Sequence, residues 1–227
     1  MDGLTLPIGN SRRLLAVGDI HGCRAALRDL LDLVAPTEHD QLVFLGDYID
    51  RGPDSAGVVE DLLALRERLP GTVFLRGNHE QLLLEVLAGA DPLNFLLNGG
   101  GETIASYRKG GGWPPPLAHQ AFFASLLPLF TSAGFIFVHA GLRPGIPLAE
   151  QSPDDLLWIR QDFLAAEVGW GRTVVFGHTP FEKPLLTADR IGLDTGCVYG
   201  GRLTCCDVNT RQIWQVNCNK SGPGAGD

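Results

Sequence analysis

The chain has 227 residues, 44% of them hydrophobic, which is enough for a sizeable core; length permits one or two domains, and with no low-complexity linker one is expected. A net charge of −8 argues against wholesale binding to nucleic acid or an anionic membrane, and no apolar run reaches the roughly 18 residues of a spanning helix. The first residues lack a basic segment followed by an apolar one, and Cys23, Cys197, Cys205, Cys206 and Cys218 match no disulfide or zinc-finger spacing, so a cytoplasmic protein with reduced thiols is expected.

Residues 1–13 read as an extension before the first element. Leu14 to Val17 is a short apolar run that ends in Gly18-Asp19-Ile20-His21-Gly22. Arg24 to Val34 places Leu27, Leu30, Leu31 and Val34 on one helical face. Leu42 to Leu45 runs into Gly46-Asp47-Tyr48-Ile49-Asp50-Arg51-Gly52, and Ser55 to Leu69 repeats the helical pattern with Val58, Leu62, Leu65 and Leu69. Val73 to Leu75 leads into Arg76-Gly77-Asn78-His79-Glu80, and Glu80 to Leu87 carries a third apolar stripe. Glu80 is expected at a helix start, where negative charge is favourable, and Arg76 as a brace of its loop.

Asn98 to Pro116 is rich in Gly and Pro. Two readings stand: a floppy surface connection, or a loop capping a site. Ile136 to Val138 then ends at His139-Ala140-Gly141-Leu142, with Arg143 beyond in a loop role, and Val174 to Phe176 ends at Gly177-His178-Thr179. Ile191 to Leu193, Arg202 to Val208 and Gln212 to Val216 look like strands joined by turns such as Asn209-Thr210, with Cys205 and Cys206 on opposite faces. Gly141 and Gly196 are expected to permit tight turns. Residues 219–227 are small, polar and Gly-rich, the composition of a frayed tail.

Strand, polar loop, helix, strand is the α/β pattern. The later strands add an α+β character, so a mixed sheet or two packed sheets flanked by helices is expected. Ligands in such folds gather at the carboxyl ends of strands, where all the polar segments lie. Asp19, His21, Asp47, Asn78, His139 and His178 together form an oxygen and nitrogen donor set without thiolate, suited to Mn²⁺, Fe or Zn²⁺. Any one Asp after Gly is ordinarily a turn residue. A whole set at successive strand ends is not. Cys23 reads as a buried small apolar residue at the entry to a helix.

These segments resemble the phosphoprotein phosphatase branch of the calcineurin-like metallophosphoesterases. The family pattern GDxHG, GDxxDRG, GNHE, HAG and a later His is matched in order from Gly18 to His178. Leu96 to Gly101, Trp158-Ile159-Arg160, Phe176 to Pro180 and Asp194-Thr195-Gly196 are similar to its small bacterial and phage lambda phosphatase-like serine/threonine phosphatases. The resemblance implies a catalytic domain over 14–218 and a dimetal site, with Mn²⁺ preferred. Asp19, His21 and Asp47 would hold one ion, and Asp47, Asn78, His139 and His178 the other. Arg51 and Arg160, with Asn78, would hold the phosphate, and His79 would be the general acid, oriented by Asp50.

A hydroxide between two cations would then attack phosphorus in line, with no covalent phosphoenzyme. The expected activity is that of a metal-dependent phosphomonoesterase acting on phosphoserine and phosphothreonine of proteins, the partner being a phosphoprotein or a phosphorylated small molecule. A symmetrical diadenosine tetraphosphate hydrolase carries the same motifs and is the alternative. An inactive, metal-stabilised binding module would lack a ligand, an arginine or the acid, and none is lacking here.

Overall fold

The computed structural model describes residues 13–167 and 169–218. The expected tail, and all of the expected extension except Arg13, lie outside them. The strands are β1 (Leu14–Val17), β2 (Gln41–Phe44), β3 (Val73–Phe74), β4 (Leu129–Ser132), β5 (Phe135–Val138), β6 (Thr173–Phe176), β7 (Leu185–Leu186), β8 (Arg190–Gly192), β9 (Arg202–Asp207) and β10 (Gln212–Asn217). They form two mixed five-stranded sheets, ordered β10-β9-β1-β2-β3 and β4-β5-β6-β8-β7. β1, β2 and β3 are parallel, as are β5, β6 and β8, and the antiparallel strands lie to the outside.

The apolar runs are unbroken because the inner strands are buried on both faces. Leu14, Ala16, Val43 and Leu45 meet Phe137, Val175 and Ile191 between the sheets. Leu15, Val17, Leu42 and Phe44 face the layer formed by α1 (Arg24–Val34), α2 (Ser55–Arg68) and α3 (Asn78–Leu87). α4 (Leu93–Phe95), α5 (Gly101–Lys109) and α6 (Leu117–Ala124) follow in the chain. On the opposite side, Ile136, Val138, Val174 and Phe176 pack with Leu156 of α7 (Pro153–Trp158) and Phe163 of α8 (Gln161–Leu164). Cys205 faces the first helical layer and Cys206 the inter-sheet core, opposite faces as expected.

Two sequence expectations are corrected. Residues 98–116 are largely not a loop: α4 passes through a π turn (Leu96–Gly100) into α5, and the irregular stretch is confined to 110–116. Only Gly99 departs from helical dihedrals, at φ 95°. The thiols are also not all reduced. Cys197 and Cys218, 21 residues apart, are joined in a disulfide with Cα atoms 5.2 Å apart. The spacing rule missed the pair because β10 turns back beside β9 and returns Cys218 to the turn holding Cys197; Cys218 N–H donates to Gly201 O at 3.2 Å. Among the described residues no helix is long and apolar enough to cross a membrane.

Caps fix the helix starts. Asp54 accepts from Gly57 N–H at 2.9 Å ahead of α2, and Ser152 accepts from Asp155 N–H at 3.0 Å ahead of α7. α1 and α2 are tied through Asp61, whose carboxylate takes two-pronged contacts from Arg24 (2.9 and 2.9 Å) and Arg28 (2.6 and 2.8 Å). Burial alone would raise the Asp61 carboxyl, but the two guanidiniums outweigh it and hold it at about 2. A depressed folded value means stability that is present above the ordinary carboxylate pKa and lost as pH falls through about 2. Asp61→Asn is therefore expected to cost about 1–2 kcal/mol at neutral pH, after allowance for solvent screening. Urea unfolding at stepped pH should show the gap between wild type and variant closing as pH falls from about 4 towards 2.

Candidate functional site

The polar side chains are delivered by the carboxyl ends of parallel strands from both sheets. β1 leads to Asp19 and His21, β2 to Asp47, Asp50 and Arg51, and β3 to Asn78, His79 and Glu80. β5 leads to His139, β6 to His178, and β8 to Asp194. The backbone there bends sharply. Among the described residues seven non-glycine ones have positive φ, and five of these are His21, Asp47, Asp50, Arg51 and His178. Such conformations cost of order 1–3 kcal/mol each and persist where the surroundings over-determine them, as at functional sites. Gly46 has φ 104° and admits close approach: a Cβ there would lie 2.6 Å from Gly77 N and 2.9 Å from His139 Nδ1.

Hydrogen bonds fix how the imidazoles point. His21 Nδ1 lies 2.8 Å from Ile49 O and His139 Nδ1 2.8 Å from Leu45 O. Carbonyls accept, so Nδ1 carries the proton in both rings and each Nε2 lone pair faces inward. The His21 lone pair accepts from the Arg51 guanidinium at 2.8 Å. His139 Nε2 lies 2.9 Å from Asn78 Oδ1 and 3.4 Å from Asp47 Oδ1. His178 Nδ1 lies 3.0 Å from that same Asn78 oxygen, and its buried Nε2 has no partner. The donor atoms of His21, Asp47 and His79 lie within 4.8 Å of one another, as do those of Asp47, His139 and His178. Asp47 belongs to both groups. Asp19 sits alongside, its oxygens 3.2 and 3.0 Å from His178 N–H.

A second network stands beside the first. Asp50 Oδ2 is 2.6 Å from His79 Nδ1, and Asp50 Oδ1 accepts from Thr103 Oγ1 at 2.6 Å. Thr103 also accepts from Asp50 N–H at 2.9 Å and reaches Ser55 Oγ at 2.9 Å. His79 Nε2, on the side facing Asp47 Oδ2 at 3.8 Å, is buried without a hydrogen-bond partner.

Burial dominates the electrostatics. Asp19, Asp47, Asp50, Glu80 and Asp194 are all buried, a concentration of carboxyls that burial pushes mostly towards their neutral forms. Burial, with Asp194 and Asp47 adding, pushes the Asp19 carboxyl well up. Burial and the nearby Asp47 raise Glu80 to about 8, and burial raises Asp194 to about 6. Burial works against Asp47 too, but the imidazoles of His139, His79 and His21 outweigh it and hold that carboxyl well down. Burial lowers His21 to about 3 and His178 to about 2. Converging imidazole nitrogens, a carboxamide oxygen and carboxylates make a nitrogen and oxygen donor set that fits divalent cations.

The structure brings together His21, Asp47 and His79, and Asp47, His139 and His178, with Asn78 between the last two histidines, Asp19 on His178 N–H, Asp50 on His79 and Arg51 on His21. Arg160 lies at the exposed rim, where its charge helps lower His178. Arg76 reaches Gln81 (3.2 Å) and Leu126 O (3.4 Å), the bracing role expected. Arg143 pairs with Asp155 and Asp162 in its loop. Gly196 turns at φ 68°, but Gly141 is required for close packing instead, since a Cβ would meet the Phe163 ring at 2.5 Å.

Glu80 does more than start a helix. Its carboxyl accepts from Asp47 N–H (2.9 Å), Tyr48 N–H (2.8 Å) and Gly77 N–H (3.0 Å), tying the loop after β2 to the loop after β3. Sequence reasoning missed Thr103, Ser55 and Tyr199 altogether. Tyr199 lies under the Arg51 guanidinium, 5.7 Å from ring centroid to carbon.

The family model for calcineurin-like phosphoesterases matches residues 12–226. The chain is 33% identical over 217 residues to serine/threonine-protein phosphatase 1 of Salmonella typhimurium (strain LT2), covering 88% of this chain and 93% of that one. It is 31% identical to the asymmetrical bis(5'-nucleosyl)-tetraphosphatase PrpE of Geobacillus thermodenitrificans, covering 83% and 87%. A crystal structure provisionally described as a diadenosine tetraphosphatase superposes with a TM-score of 0.76 at 29% identity, covering 96% of this chain and 98% of that one.

Proposed function

Because the chain belongs to the calcineurin-like phosphoesterases and is thereby a metal-dependent hydrolase, we propose that it removes phosphate from phosphoserine and phosphothreonine of proteins. The observation that carries this reading is the cluster in which Asp47, common to both donor groups, lies beside the His79–Asp50 pair, with Arg51 on His21. The 33% identity to a serine/threonine-protein phosphatase over nearly the whole chain supports the substrate. In this proposal Asp19, His21 and Asp47 hold one divalent cation and Asp47, Asn78, His139 and His178 the other. Mn²⁺ is the proposed pair, with Fe or Zn²⁺ compatible with the same donors. When bound, the pair supplies charge stabilisation on both sides of an in-line displacement and water of lowered pKa.

The chain's own groups bind the substrate and move the proton. Arg51 and Arg160 grip the phosphoryl oxygens from two sides, as planar guanidiniums suit. As the doubly protonated imidazolium, His79 gives its Nε2 proton to the departing alkoxide and becomes neutral, while Nδ1–H stays hydrogen-bonded to Asp50 Oδ2. Thr103 fixes the other Asp50 oxygen, so the ring cannot turn away.

A second reading, hydrolysis of a dinucleoside polyphosphate, is favoured by one specific feature. Two aromatic rings flank the site exposed: Trp158, 40% accessible and edge-on to His178, and Tyr199, 59% accessible beside Arg51. A base stacked on such a ring gains about 1–3 kcal/mol. Side-by-side kcat/KM for a phosphoserine peptide and diadenosine tetraphosphate decides between the readings. The first expects the peptide to be preferred and Trp158→Ala to leave its kcat near wild type. A preference for the nucleotide above ~100-fold, roughly 2.7 kcal/mol, with a raised nucleotide KM in Trp158→Ala, would establish the second.

A further inference from the structure

Outside the oxygen and nitrogen donors lies a separate cluster of sulfur. The Sγ atoms of Cys23, Cys197 and Cys218 lie within 4.8 Å of one another. They come from three distant parts of the chain. Cys23 caps α1, Cys197 opens a 3₁₀ turn held between Gly196 and Gly200, both at positive φ, and Cys218 follows β10. All three border one solvent-open cleft of about 840 Å³, which also reaches Arg51 and Asn217. The disulfide accounts for two of these sulfurs meeting, but not for the third, the free thiol of Cys23, which the start of α1 brings to the same point at the edge of the cleft.

We propose that, with the Cys197–Cys218 disulfide reduced, these three sulfurs form a binding site for one soft or borderline cation of the Zn²⁺, Cd²⁺ or Co²⁺ kind. A dithiol reductant supplies the two electrons: the S–S bond becomes two thiols and the dithiol becomes a cyclic disulfide. Each thiol gives its proton to water as its sulfur bonds the cation. Three thiolates leave the fourth tetrahedral position to a water from the cleft. The donor set is all sulfur, whereas the neighbouring set is nitrogen and oxygen, so the two sites sort cations by softness. The cation clamps the start of α1 to the turn carrying Tyr199, and through it the ring under Arg51.

The test uses the full chain, reduced with a dithiol, desalted without oxygen and titrated with Co²⁺. Thiolate-to-cobalt charge-transfer absorption should appear in the near ultraviolet and saturate at about one equivalent. It should be lost in Cys23→Ser and in Cys218→Ser, each still hydrolysing p-nitrophenyl phosphate with Mn²⁺ and so folded. If Cys218→Ser fails to fold, Cys23→Ser decides alone. Reduced wild type without the band, or Cys23→Ser with an undiminished one, would overturn the proposal. The nitrogen and oxygen site has no sulfur to give this band, so failure here leaves the phosphoesterase reading untouched, and failure of that reading would show as absent Mn²⁺-dependent hydrolysis.

Discussion

Replacing His79 by asparagine is expected to lower turnover of a phosphoserine peptide by ~10²–10⁴-fold with metal content unchanged, the range general acid catalysis contributes. The size should depend on the leaving group. A serine alkoxide needs a proton as it departs, whereas nitrophenolate leaves readily without one. The loss on p-nitrophenyl phosphate should therefore be smaller. Under the proposed role the ring is held by Asp50, with Nδ1 2.6 Å from its Oδ2 and Nε2 buried without a partner on the Asp47 side. Asp50→Asn should follow the same leaving-group pattern with a smaller loss, because it removes orientation rather than the acid. Equal losses in His79→Asn on both substrates would point to a structural or phosphate-holding role instead.

Asp47→Asn is expected to be more damaging still. Asp47 is the carboxylate that both donor groups share, and it lies 3.5 Å from His21 Nε2, 3.8 Å from His79 Nε2 and 3.4 Å from His139 Nε2. A neutral amide preserves the shape and removes the charge around which those imidazoles gather. Losing several kcal/mol of charge stabilisation corresponds to about 10³-fold or more in turnover on every phosphate ester, whatever its leaving group. The substitution should also shrink the rise in Tm that Mn²⁺ gives the wild type, since a ligand that binds only the folded state stabilises by mass action. Undiminished Mn²⁺ stabilisation in the variant would place the cations elsewhere.

Most of the donor set was legible in the sequence because each ligand follows an apolar run that can only be a buried strand, and parallel strands end on one side. Leu42 to Leu45 ahead of Asp47, and Val174 to Phe176 ahead of His178, are such runs. The missed parts share a different physics. α5 buries Thr103, Ser106 and Tyr107, a polar face that hydrophobic periodicity cannot register, and its glycines suggested a loop although only Gly99 breaks the helix. Glu80 read as a first-turn charge because its partners, Asp47 and Tyr48, are more than thirty residues earlier. Glycine was expected to make the turns, yet His21, Asp47 and His178 themselves adopt positive φ, a strain held by the packed site and invisible in composition. The Cys197–Cys218 bond likewise depends on how β10 folds back, not on spacing.

The shared-carboxylate arrangement is tested most directly by counting metal against activity. Protein stripped by exhaustive chelation should be inert towards p-nitrophenyl phosphate, and stepwise Mn²⁺ should restore hydrolysis along a curve that saturates at about two ions per chain. Stripped protein that retains full activity, or activity complete at one ion, would contradict a site in which Asp47 serves two cations.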